Sequence, residues 1–158
     1  MLMLPLVMFP VLQAAPDIDE AIKKLYSVIS GPAGQKRDWE AFRGMFADGA
    51  QMRSVGKREG KTTVSLLTPD DYATKSGPVI EERGFFESEL SRKMWVYGDM
   101  AQVFSTYESR MKLDDKPFDR GINTITLVKV ADKWKIASIT WTGERVAGPI
   151  PAQFLPGG

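Results

Sequence analysis

The 158-residue sequence contains neither cysteine nor histidine. Without thiols there is no disulfide, no thiolate nucleophile and no zinc site of the Cys/His type, and without imidazole there is no Ser-His-Asp triad and no histidine base. No metal or cofactor is expected. A charge excess is also missing: 21 basic against 20 acidic side chains leave a net charge of +1. Nucleic acid is therefore not an expected partner, since phosphate binding draws on a basic surplus gathered on one face. The densest basic cluster, Lys57, Arg58 and Lys61, reads as a solvated turn. Residues 1–12 are apolar but shorter than the roughly 20 residues a helix needs to cross a bilayer, and Pro5 and Pro10 interrupt them, so no membrane span is expected.

With 43% hydrophobic and 26% charged residues, the composition suits one globular domain with a single core and leaves no room for a second. Residues 1–15 read as a signal peptide: an apolar run followed by the small residues Ala14 and Ala15, with cleavage expected after Ala14 because Pro16 disfavours the next bond. A periplasmic or secreted location follows from that reading. The domain is expected over residues 16–146, and 147–158 form a Pro/Gly-rich, extended tail.

Helices are expected first. Asp17 and Glu20 stand in a capping-box relation ahead of Ile18, Ile22, Leu25, Tyr26 and Ile29 at helical spacing, and Gly31-Pro32 ends the run. Asp38 caps a short second helix carrying Trp39, Phe42, Met45 and Phe46; aromatics at this spacing read as core. Asp48-Gly49 turns the chain into a short strand near 51–55, followed by a charged loop over 56–62. That loop imitates a phosphate-binding loop but has three residues between its glycines where four are needed, and Ser54-Val55-Gly56-Lys57 imitates an acyl-enzyme motif away from the helix start it requires. Thr68-Pro69-Asp70-Asp71 opens a third helix that Gly77-Pro78 interrupts, and its acids complement the helix dipole.

Four strands are expected near 85–97, 100–112, 118–130 and 134–144. Helices first and contiguous strands after define an α+β protein, with the N-terminal helices on one face of a mainly antiparallel sheet. A two-residue loop at Gly98-Asp99 sets the first hairpin: Met94 faces Val103, Arg92 faces Ser105, Leu90 faces Tyr107 and Phe86 faces Met111, while Glu87 opposes Arg110 on the other face. The inner face is apolar except for Arg92, Ser105 and Tyr107, joined on the third strand by Asn123. These four are the candidate ligand-binding residues, because buried polar groups need partners. In the last strand Trp134 and Ile136 differ in parity from Ile139 and Trp141, which calls either for two buried faces or for a bulge near Ala137-Ser138.

This layout, with Phe85-Phe86-Glu87, Gly98-Asp99-Met100-Ala101, Arg120-Gly121-Ile122-Asn123 and Trp134-Lys135-Ile136, resembles an uncharacterised bacterial branch of the nuclear transport factor 2-like (SnoaL-like) superfamily. The resemblance implies a cone-shaped half-barrel over a curved sheet, an outer sheet face that forms homodimers, here with Trp95, Phe104 and Val128, and a conical cavity for a small-molecule ligand. The His-dependent enzymes of that superfamily cannot be matched. The expected function is ligand binding in the cone, without a recognisable catalytic set. The rival is an isomerase or lyase using a carboxylate with Tyr107, for which Asp119 has the right parity. A third reading is a dimeric interaction module with a filled cone, which a cavity below about 300 Å³ would favour.

Overall fold

The computed structural model describes residues 16–158; the expected signal segment lies outside them. The elements run α1 (Pro16–Ile29), α2 (Trp39–Gly44), β1 (Phe46–Arg58), β2 (Lys61–Leu67), α3 (Pro69–Asp71), a π-helical turn (Tyr72–Ser76), α4 (Gly77–Arg83), β3 (Phe86–Tyr97), β4 (Met100–Arg110), β5 (Asp119–Val130), β6 (Lys133–Gly143) and α5 (Glu144–Ala147). The six strands form one sheet in the order β2-β1-β6-β5-β4-β3. Every neighbouring pair is antiparallel except β1 with β6.

Local sequence explains the starts of α2 and α3, whereas Asp17, expected to cap α1, lies inside its first turn. Asp38 caps α2 by accepting the Ala41 N–H at 2.8 Å, and Thr68 with Asp71 closes a capping box over Pro69, contacts worth about 1 kcal/mol each. Gly77-Pro78 does not break the third helix as expected. Its hydrogen bonding widens to a π-turn just before Pro78, and α4 begins at Gly77. The loop between α1 and α2 is tied down by Arg37, whose guanidinium donates to the carbonyls of Ile29, Gly31 and Gln35. Glu81 on α4 accepts from Arg37 N–H, Trp39 Nε1 and Lys36 Nζ at 2.8–3.0 Å.

The short strand expected near 51–55 is one arm of a long hairpin. The stretch expected as a charged loop continues β1 to Arg58, turns at Glu59 and Gly60, both with positive φ (50° and 76°), and returns as β2. Two left-handed residues form the tight turn whose twist suits a hairpin. The bulge of the last strand falls at Ala137, where the β5–β6 register shifts and lets Ile136 and Ile139 face the same core.

The core lies between α1, α2 and the concave sheet face. Ile18, Ile22, Leu25, Tyr26 and Ile29 bury the stripe expected from their spacing, against Val103, Ile125, Leu127, Ile136 and Ile139. The first hairpin keeps the expected register from Tyr97 to Arg92 and then departs from it. A bulge at Leu90 brings Glu89, not Leu90, opposite Tyr107, and Glu87 opposite Ser109; Phe86 faces Arg110. One extra residue reverses the parity of everything beyond it, so the carboxylates that a straight strand would turn outward are turned toward the helices. The tail is not extended: it makes a 3-10 turn (Ala152–Phe154) that stacks Phe154 on Phe104 of the convex face. No helix among the described residues is long and apolar enough to cross a membrane.

Candidate active site

Between the helices and the sheet lies a cavity of about 240 Å³. Its sides are apolar: Leu25 and Ile29 from α1, Phe42 from α2, Met52 from β1, Ile139 and Trp141 from β6. Its polar groups come from four elements: Tyr72 and Ser76 on the π-turn, Glu87 on β3, Tyr107 and Ser109 on β4, and Asp119 and Asn123 on β5. A carboxyl group set into apolar walls is the unusual element, and the Leu90 bulge put it there.

Glu87 keeps a window onto the cavity, while burial pushes its carboxyl up to about 7. The Ser109 hydroxyl donates to Oε2 at 3.0 Å and the Asn123 amide approaches Oε1 at 3.5 Å; both favour the ionised form but do not offset the desolvation, and nearby Asp119 adds to the rise. Tyr107 is held flat over Gly121, its pairing partner on β5: a Cβ there would stand 2.6 Å from the Tyr107 hydroxyl. Burial, then the Glu87 charge, raises both Tyr72 and Tyr107, so each stays a protonated donor at neutral pH. Among the described residues neither hydroxyl has a protein hydrogen-bond partner; both are donors open to the cavity.

The four residues expected to contact a ligand separate. Tyr107 and Asn123 line the cavity. Ser105, fully buried, lies behind it, its oxygen 2.6 Å from the Tyr26 hydroxyl and its hydrogen donated to Glu89 Oε1 at 2.6 Å. Arg92 is not on the cavity wall: Nε donates to Glu89 at 3.0 Å, and a further nitrogen pairs with Asp19 on α1. With two carboxylates to satisfy it, Arg92 has the partners a part-buried guanidinium requires. Asp119, the carboxylate of the rival enzymatic reading, sits at the rim, 3.5 Å from the exposed Arg145. Glu87, Tyr72 and Ser109 are the site residues the sequence did not yield. The apparent Glu87–Arg110 pair even argued for the wrong register; Arg110 instead pairs with Glu108 at 2.6 Å.

No family model matches the chain, and no curated protein does. Solved structures do. A nuclear transport factor 2-like protein with a cystatin-like fold from Novosphingobium aromaticivorans superposes with a TM-score of 0.64 at 14% identity, over 88% of this chain and 84% of that one. A candidate ketosteroid isomerase from Shewanella frigidimarina gives 0.53 at 19% identity, over 79% and 94%. The beta subunit of a candidate aromatic-ring-hydroxylating dioxygenase from Novosphingobium aromaticivorans gives 0.62 at 11% identity, over 89% and 94%. The chain therefore has the nuclear transport factor 2-like fold, an α+β half-barrel shared by proteins of different function.

Proposed function

We propose that the cone binds a small, uncharged carbonyl compound and transfers a proton on it, an isomerase- or lyase-type reaction in which Glu87 is the base and Tyr107 the hydrogen-bond donor. The observation that carries this reading is that a buried carboxyl and two partnerless tyrosine hydroxyls, each raised by burial and then by its charge, line one largely apolar cavity. A carboxyl half-ionised near neutrality can take a proton from the carbon beside a carbonyl and return it elsewhere. A tyrosine hydroxyl aimed at the carbonyl oxygen would stabilise the enolate as charge develops on it. Anionic substrates do not suit a cavity whose two charged side chains, Glu87 and Asp119, are acids; the carboxylates that an Arg92 site would have drawn are not expected ligands. A structural neighbour described as a candidate ketosteroid isomerase supports the same chemistry by likeness of fold alone.

The cavity volume points the other way, because 240 Å³ lies below the size of ordinary ligand sites and favours a filled, non-catalytic module. The polar content outweighs it: packing alone gives no reason to enclose a carboxyl at an energetic cost beside unpartnered hydroxyls, and a small cavity restricts the substrate in size only. The test is deuterium exchange at the carbon next to the carbonyl, followed by NMR over a panel of small cyclic and aromatic ketones. Wild-type protein should accelerate exchange, and Glu87→Gln should lower the rate by at least about 100-fold with the fold intact. No exchange with any ketone, or an undiminished rate in the variant, would defeat the reading.

Two further proposals concern the whole chain. We propose that it is exported to the periplasm or secreted, on the apolar run and small residues of 1–15; the intact mass of material from a secreting bacterium should lack residues 1–14, and a full-length cytoplasmic product would refute it. We also propose a homodimer through the convex sheet face, where Trp95 is 59% and Tyr97 83% exposed, a patch of the kind that marks interfaces.

A further inference from the structure

The polar groups behind Glu87 form one hydrogen-bonded line. It runs from Asn123 to Tyr26 of α1 (Nδ2 to hydroxyl, 3.1 Å), to Ser105 (2.6 Å), to Glu89 (2.6 Å) and on to Arg92. Tyr26, Ser105 and Asn123 are all buried, so water does not compete for their bonds, and each hydrogen must be accounted for within the line.

The accounting has one solution, and it is dictated from the far end. Glu89, gripped by the Arg92 guanidinium through Nε and Nη2, can only accept, so the single Ser105 hydrogen is committed to it. The Ser105 oxygen is then an acceptor and takes the Tyr26 hydrogen. The Tyr26 oxygen is left with lone pairs only, and the Asn123 amide must turn Nδ2, not Oδ1, toward it. Its second Nδ2 hydrogen thereby faces Glu87 Oε1, 3.5 Å away at the outer limit of a hydrogen bond. Were the line reversed, Asn123 would present a carbonyl oxygen to that carboxyl.

We propose that Glu89, acting through Ser105 and Tyr26, fixes the Asn123 amide with its N–H toward Glu87, so that these four are positioning residues for the cavity carboxylate. This rests on the assignment of Glu87 as the base and explains how a carboxyl in apolar walls keeps an ionised fraction. The other groups facing Glu87 are accounted for: Tyr26 from α1, Tyr72 from the π-turn, Tyr107 and Ser109 from β4, and Asp119 from β5. Of these, only Ser109 donates a hydrogen to it.

The experiment is a pH titration of the Glu87 carboxyl carbon by 13C NMR on the full chain without substrate, the signal assigned by its loss in Glu87→Gln. In Ser105→Ala the line is cut, and the midpoint should rise by up to about one pH unit, the worth of one hydrogen bond to the charged form. Ser105→Thr, which keeps the hydroxyl, should restore the wild-type midpoint. Tyr26→Phe should raise it as Ser105→Ala does and stands in if that variant does not fold. A lower melting temperature with an unmoved midpoint in both cut variants would make the line a purely structural tie and overturn the proposal. Because the titration needs no turnover, a midpoint that moves while Glu87→Gln retains full exchange activity would sink the assignment of the base and leave the positioning intact.

Discussion

Tyr107 reaches the cavity only because residue 121 has no side chain. The two residues pair across β4 and β5, and a Cβ on Gly121 would meet the Tyr107 hydroxyl at 2.6 Å, its Cζ at 2.8 Å and the backbone carbonyl of Thr142 at 2.3 Å. The tyrosine could swing away; the carbonyl belongs to the neighbouring strand and cannot. Gly121→Ala is therefore expected to cost about 1–3 kcal/mol, the range of an overpacked core site, read as a lower midpoint in urea unfolding. Adding Tyr107→Phe should not recover the loss, since the Thr142 contact remains. An unchanged midpoint in the single variant would mean that β5 and β6 separate there more easily than their register implies.

At the scale of elements, the convex sheet face carries both a proposed interface and its own cover. Phe154 stacks on Phe104 at 5.6 Å with the rings 12° apart, its carbonyl accepts the Thr106 hydroxyl at 2.6 Å, and Lys93 donates to Gly158 at 2.9 Å. Trp95 lies beside Phe104, edge to face at 6.0 Å, and stays open. Removing the cover enlarges the apolar patch, so Phe154→Ala should associate at lower concentration than wild type in light scattering; monomers for both at micromolar concentration would rule the face out as an interface. The elements were legible wherever periodicity was strong: the buried stripe of α1, the capping residues Asp38 and Thr68, the turn at Gly98-Asp99 and the bulge that was one of two answers to the Trp134/Trp141 parity conflict. The bulge at Leu90 left no such conflict. A straight strand also gave an apolar inner face with Phe86 and Leu90, and nothing in 86–91 distinguishes the two registers. Because parity beyond a bulge inverts, that one residue hid Glu87, and with it the centre of the candidate site, while Tyr107 and Asn123 on unbulged stretches were readable. The hairpin β1–β2 was obscured for another reason: β2 is an edge strand with its side chains largely exposed, so no inward alternation marks it.

For the molecule as a whole, two glutamates pull stability in opposite directions along the pH scale. Glu81 is held down to about 2 by the hydrogen bonds from Lys36, Arg37 and Trp39. Between about 2 and its ordinary value of 4.5 the unfolded chain binds the extra proton, so stability rises with pH and is lost on acidification. Glu87 is raised from 4.5 to about 7 by burial, and between those values the folded chain holds the extra proton. There stability falls as pH rises, by roughly 3 kcal/mol in all at 1.36 kcal/mol per unit. Together these two groups place their joint optimum near pH 4.5, below the neutral range where many proteins are most stable, and make Glu87 a standing cost at neutral pH that ordinary packing would select against. The expected profile of melting temperature against pH is a dome with an acid limb from Glu81 and a neutral limb from Glu87. Glu87→Gln should flatten the neutral limb, melting higher than wild type at pH 8 and no higher at pH 4, and leave the acid limb in place. A variant that melts lower than wild type at pH 8 would show that the ionised carboxylate stabilises the cone, and the burial argument for Glu87 would then fail.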